Sequence, residues 1–186
     1  MAHAVTETRP VTADELLRMP DDGLSRELID GELRVMTPAG GRHGQVALRI
    51  GSRLEQHVAE HDLGAALGAE TGFRLSADPD TVLAPDLSFV RREVVEQVPD
   101  PDLFWPVVPD FVMEVVSPRD SFHEVRERVF RWLAAGCRMV AVANPKGRTM
   151  TVYRSRADVV ELTEADVLDA SDVVPGWKLP LRGMFP

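Results

Sequence analysis

An α/β (α+β) sandwich around a mixed sheet is the architecture this sequence of 186 residues specifies. Three observations lead there. Helical and strand periodicities follow one another in the order helix, strands, helix, strands, an order typical of helices packed on a sheet. Two segments, His43 to Glu60 and Ser121 to Ala135, carry apolar residues at helical spacing. Between them, Asp110 to Val116 is a nearly unbroken apolar run of strand length, interrupted by one acid.

Residues 1–11 read as a flexible tail, and residues 12–186 as a single domain. Thr12 and Glu15 have the spacing of a capping box, with Leu16, Leu17 and Met19 as the apolar side of a short helix,. Pro20-Asp21-Asp22-Gly23 ends it. Arg26 to Met36 then predicts two strands around Asp30-Gly31, a pair suited to a type I′ hairpin turn, with Leu28, Ile29, Leu33 and Val35 as core contributors,. After a break at Pro38–Gly41, Val46, Ile50, Leu54 and Val58 form the stripe of the long helix,. The glycine-bounded stretch Leu63–Gly68 leads into a strand over 69–75, and Ala77-Asp78-Pro79-Asp80 is a turn.

Val82 to Val90 predicts one strand. Alternation puts Val82, Ala84, Asp86, Ser88 and Val90 on one face, with Leu83, Leu87 and Phe89 on the other,. Arg91 to Trp105 is a connection with room for one helical turn, and Asp110 to Val116 is the central strand. Ser121 and Glu124 again have capping-box spacing, opening a helix that buries Val125, Val129, Trp132 and Leu133 and ends at Gly136,. Arg138–Ala143 and Thr149–Tyr153 are two further strands around the Asn144–Gly147 turn, and the remainder reads as mostly irregular.

No apolar run approaches the roughly 20 residues that span a bilayer. The first ten residues, MAHAVTETRP, lack the apolar core of a secretory signal,. A single cysteine, Cys137, leaves no internal disulfide. Together these predict a cytoplasmic protein with no membrane partner. A net charge of −9 opposes broad, sequence-independent nucleic-acid binding, though not a local basic surface or a metal-bridged phosphate contact,. Only two lysines occur, Lys146 and Lys178, so nearly all positive charge is arginine.

Glu114 stands inside FVMEVV, where an ionised carboxylate is costly unless compensated,. Asp86 stands in the comparable setting VLAPDLSFV. Two carboxylates on neighbouring strands suit a hard divalent cation that keeps waters and substrate phosphates. The competing reading makes Asp86 a strand-end residue bonded to nearby backbone, and Glu114 a buried ion pair with Arg128 or Arg138. Spacing alone leaves both open.

The order PD, then a strand with Glu, then Ser-Pro and a helix resembles the PD-(D/E)XK nuclease superfamily. More narrowly, the chain is similar to the Uma-type family of restriction-endonuclease-like proteins. The resemblance runs through RELIDGELRVMTP, GRHGQVALRIGSRL, APDLSFV, PDFVMEVVSP, the helix ending WLAAGC, NPKGR and PGWKLPLRGMF. It implies a restriction-endonuclease-like αβββαβ core, a Mg²⁺ or Mn²⁺ site and phosphodiester hydrolysis, with nucleic acid, DNA foremost, as partner. A homodimer suits enzymes of this kind that cut two strands symmetrically.

Carried over by position, Pro85-Asp86 is the PD pair and Glu114 the second acidic ligand. Val116 stands where the superfamily lysine would be, and the family places that lysine on the following helix. Counting back from Gly136-Cys137 through Trp132 assigns the role to Arg128. Arginine can stabilise charge but does not act as a base, so the resemblance also admits a non-catalytic nucleic-acid-binding or assembly module. The plain alternative for Arg128 is a surface ion pair with Glu124. Glu27 and His43 match recurrent family positions that line the site; their alternatives are an exposed strand residue and a backbone-bonded helix start. Arg119, Arg126, Arg128 and Arg131 concentrate positive charge nearby.

Overall fold

The structure, a computed structural model, describes residues 9–20 and 22–186. Most of the expected tail, residues 1–8, lies outside the described residues, as does Asp21 of the turn after the first helix. The elements are α1 (Ala13–Leu17), β1 (Ser25–Ile29), β2 (Glu32–Met36), α2 (Gly41–Glu60), β3 (Gly64–Gly68), β4 (Phe73–Ser76), β5 (Thr81–Leu83), β6 (Leu87–Arg91), α3 (Arg92–Val95) and β7 (Phe111–Val115). They continue with α4 (Phe122–Ala135), β8 (Met139–Asn144), β9 (Thr149–Tyr153), β10 (Val159–Thr163), β11 (Val167–Asp169) and β12 (Lys178–Pro180).

A six-stranded mixed sheet, in the order β10-β9-β8-β7-β6-β3, forms the centre. β7 and β8 run parallel, and the other neighbouring pairs are antiparallel. A parallel pair needs a long crossover, and α4 supplies it. In chain order α2, β3, β6, β7, α4 and β8 give the αβββαβ core. The β4–β5 hairpin, inserted between β3 and β6, joins β1 and β2 in a second sheet ordered β2-β1-β5-β4.

Strand alternation divides the core. Phe111, Met113 and Val115 of β7 pack with Met139, Ala141 and Ala143 of β8 against Val46, Ile50, Leu54 and Val58 of α2. Val112, Val140 and Val142 point the other way, onto Val129 and Trp132 of α4 and Phe73 and Leu83 of the second sheet. Each of the Val, Leu, Ile, Phe and Met side chains among them, fully buried, contributes roughly 1.5–3 kcal/mol of transfer free energy. Glu114 shares the α4-side parity of Val112 and is the acid on that apolar face,.

The helix ends are set locally. Both reciprocal bonds of the Ser121/Glu124 capping box form, and Gly136 closes α4 at φ 111°, a left-handed conformation that costs a side-chain-bearing residue,. Thr12 and Glu15 cap α1 in the same way, and the Asp80 carboxylate accepts the Ala13 amide at 2.7 Å, tying α1 to the β4–β5 turn. Asp30 and Gly31 take φ of 53° and 78°, as a type I′ turn requires,.

Several expectations are corrected. Leu33 and Val35 are 36% and 54% exposed, because β2 is an edge strand and only β1 is covered by β5 and α1. The predicted strand Val82–Val90 breaks at Ala84-Pro85-Asp86, where the chain leaves the second sheet for the six-stranded one. Pro85 has no amide hydrogen to give a ladder, which suits that exit. Gly64–Gly68, poor in strand-forming residues, is nonetheless a strand because it pairs along β6,. The later strand is confined to Phe73–Ser76. The C-terminal remainder, read as irregular, holds β10 against β9 and the β11–β12 pair. Leu168, Val174, Trp177, Leu179 and Leu181 from this segment complete the α2-side core.

Candidate active site

The site lies where the β6–β7 ladder stops. The last pair is Leu87 with Met113, so the Val115 amide has no β6 backbone partner. The Asp86 side chain takes that place: its Oδ2 accepts the Val115 N–H at 2.7 Å. His43, in the first turn of α2, brings Nε2 to 3.1 Å from the same oxygen. Asp86 is thereby fixed from two elements, at the end of the sheet between α2 and α4.

Glu114, on β7, is held from α4. Arg128 and Trp132 are four residues apart, so both project from one side of the helix. Arg128 Nε donates to Glu114 Oε1 at 2.6 Å, and Trp132 Nε1 donates to the same oxygen at 2.8 Å. Arg128 continues outward: Nη1 donates to Glu27 Oε2 at 2.6 Å, and Nη2 to Glu27 Oε1 at 2.8 Å and to the Ala84 carbonyl at 2.7 Å. Glu27 Oε1 also accepts the Ala84 amide at 2.6 Å, so both backbone groups of Ala84 are used.

Burial sets the electrostatics. Glu27 and Glu114 are only 2% and 9% exposed. Burial pushes the Glu114 carboxyl up to about 7, with Asp86 and Glu27 adding to the rise against the opposing pull of Arg128 and Trp132,. Burial alone would lower the Arg128 guanidinium, but Glu114 and Glu27 outweigh it and hold the group above its ordinary range. The hydrogen bond to Asp86 raises His43 against its own burial, and Asp120 and Glu114 act in the same direction.

The five residues singled out from the sequence therefore gather at this end of the sheet in two bonded groups, Asp86 with His43, and Glu114 with Arg128 and Glu27. Asp86 is bonded to backbone and Glu114 is paired with Arg128, while Arg138 turns away to the Asp172 carbonyl. Glu124 serves the Ser121 cap rather than Arg128. Glu27, weighed as an exposed strand residue, is buried. Of the other arginines named, Arg119 donates to Thr37 Oγ1 at 3.3 Å and Arg131 pairs with Asp30. Sequence reasoning missed the polar role of Trp132, assigned only to the core stripe. Its spacing of four from Arg128 was the available signal.

The donor set can be tested against a divalent cation. Among the described residues no group of three or more His, Cys, Asp or Glu side chains is disposed to hold a metal ion. Two carboxylate oxygens, Asp86 Oδ1 and Glu114 Oε2, carry no protein hydrogen bond among those residues, since the bonds described above fall on Oδ2 and Oε1. Mg²⁺ commonly takes one or two protein carboxylates and fills its shell with waters and phosphate oxygens. The residues present fit such a cation, and they do not form an all-protein cage.

A family model described as "Putative restriction endonuclease", Uma2, matches residues 13–182. Among solved structures, a protein from Anabaena variabilis ATCC 29413, titled a "putative nuclease belonging to DUF820", superposes with a TM-score of 0.78 at 20% identity. The alignment covers 95% of this chain and 98% of that one; at this identity it shows a shared fold. No curated protein matches.

Proposed function

Because the chain belongs to the Uma2 restriction endonuclease family, we propose that it hydrolyses phosphodiester bonds of nucleic acid, DNA foremost, with Mg²⁺ or Mn²⁺ held by Asp86 and Glu114. One observation carries this reading. The two acids at the end of the sheet are each fixed through one oxygen, leaving Asp86 Oδ1 and Glu114 Oε2 without a protein hydrogen bond among the described residues. A divalent cation bound there would supply a water of lowered pKa and a counter-charge for phosphoryl oxygens.

The protein's own residues prepare the site. The Val115 amide and His43 orient Asp86, and Trp132 and Arg128 orient Glu114, so neither acid must reorganise to meet a ligand,. Arg128 balances the charge of Glu114 and Glu27 and, always protonated, does not take a proton from water,.

A specific observation also supports the second reading, a non-catalytic nucleic-acid-binding or assembly module. Of the five N–H groups that a guanidinium carries, Arg128 commits four to Glu114, Glu27 and Ala84. It acts chiefly as a clamp on the acids. Nicking of supercoiled plasmid with Mg²⁺ or Mn²⁺ separates the two. Nicking by the native protein that is lost in Asp86→Ala supports hydrolysis. No nicking by any variant, Arg128→Lys included, moves the assignment to the binding module.

A further inference from the structure

Helix α4 presents a second concentration of positive charge away from the acids. Arg126 and Phe130 lie two residues either side of Arg128, about 200° around the helix from it. With His123, Arg131 and Arg156 they line a shallow open groove of about 440 Å³. The Arg156 guanidinium carbon sits 4.1 Å from the Phe130 ring centroid and that of Arg126 at 5.1 Å, while Tyr153 meets the same ring edge-on.

Arg131, which also lines the groove, is neutralised by Asp30, and elsewhere Arg148 pairs with Glu164 and Arg154 with Asp172. Arg126 and Arg156 have no carboxylate within ion-pair distance among the described residues. Glu127, the carboxylate lining the groove, faces His123 at 3.3 Å. Two guanidiniums gathered on one ring repel each other, and neither donates a hydrogen bond among the described residues. A guanidinium held over a ring keeps its planar fork, and such a fork matches a phosphate bidentately. The groove is open, which suits an extended polyanion rather than an enclosed small anion.

We propose that Arg126, Phe130 and Arg156 form a docking point for the phosphate backbone of nucleic acid, seating the substrate on the same helix that carries Arg128. The assignment rests on the nuclease reading for its substrate and extends it to where that substrate lies.

The test is fluorescence anisotropy of a labelled random-sequence DNA duplex, in EDTA, over a KCl series. The double variant Arg126→Ala/Arg156→Ala is expected to bind about tenfold more weakly at low salt. Its log affinity against log salt should be shallower by roughly 0.9 for each phosphate that the two arginines neutralise in the native protein. Equal affinity and slope in native and variant proteins overturn the proposal, as does a native protein that does not bind duplex at low salt. The readout needs neither metal nor turnover, so the two readings fail separately. Arginine-dependent binding without nicking by any variant keeps the docking point and removes hydrolysis. Nicking with binding indifferent to the two arginines does the reverse.

Discussion

Glu114 Oε1 accepts the Nε–H of Arg128 at 2.6 Å, joining the central strand to the crossover helix through a buried charge pair. The pair is lopsided: Glu27 shares the same guanidinium, so one cation balances two buried carboxylates. Removing the cation leaves both acids and the Ala84 carbonyl without their partner, a loss of about 3–5 kcal/mol by the usual cost of breaking a buried pair. Glu114→Gln keeps an acceptor for Trp132 and leaves Arg128 on Glu27, so its cost stays below about 1 kcal/mol. Urea denaturation at neutral pH ranks the two. A milder effect for Arg128→Ala than for Glu114→Gln would falsify this account of the charge balance.

Stability should depend on pH through Glu114. Its carboxyl is raised in the folded protein from about 4.5 to about 7. Between those values the folded state binds more protons than the unfolded chain, so stability falls as pH rises through the window. The fall is on the order of 3 kcal/mol once the group is ionised in both states. Glu114→Gln removes it, and the variant gains on the native protein toward alkaline pH. His43, raised by Asp86, contributes with the same sign at higher pH. Its support is complete below its ordinary value and disappears as pH rises through the folded one. Urea melts from acid to alkaline pH check both; a native curve parallel to that of Glu114→Gln contradicts the first.

The sequence made much of this legible, and for identifiable reasons. Helix α2 is readable from an apolar stripe at every fourth residue, and α1 and α4 from their capping boxes, all of them local signals. The acids were readable because Glu114 interrupts an apolar strand, where charge must have a use or a partner. What was not legible depended on distant pairing. Gly64–Gly68 is a strand only because β6 lies beside it, and Leu33 is exposed only because β2 has a neighbour on one side. The break at Pro85 was hidden by a continuous alternation on both sides of it. Periodicity carries no mark of the point where a chain changes sheets. The same break frees Asp86 to cap Val115, so the misread strand and the site have one cause.

Metal binding should be measurable without turnover. If Asp86 Oδ1 and Glu114 Oε2 hold Mn²⁺, the folded state gains about 2.7 kcal/mol at a hundredfold excess over Kd, seen as a rise in Tm. Asp86→Ala and Glu114→Ala should each abolish the rise. Calorimetric titration gives the affinity directly. A Tm rise of the same size in Asp86→Ala would place the metal elsewhere.

Arg128→Lys tests what the arginine does at this position. A lysine offers three donors from one nitrogen and cannot reproduce the four bonds that Arg128 makes to Glu114, Glu27 and Ala84,. The absence of the fork geometry should lower stability by about 1–3 kcal/mol. Glu114 is held less tightly as a result, and a buried ammonium, unlike a guanidinium, can give up its proton near neutral pH. Plasmid nicking with Mn²⁺ should therefore persist or increase in Arg128→Lys although the protein is less stable. An Arg128→Lys variant that stays folded yet shows none of the native protein's nicking would mean that the guanidinium itself is required. It would assign Arg128 a direct part in the chemistry beyond its clamp on the two acids.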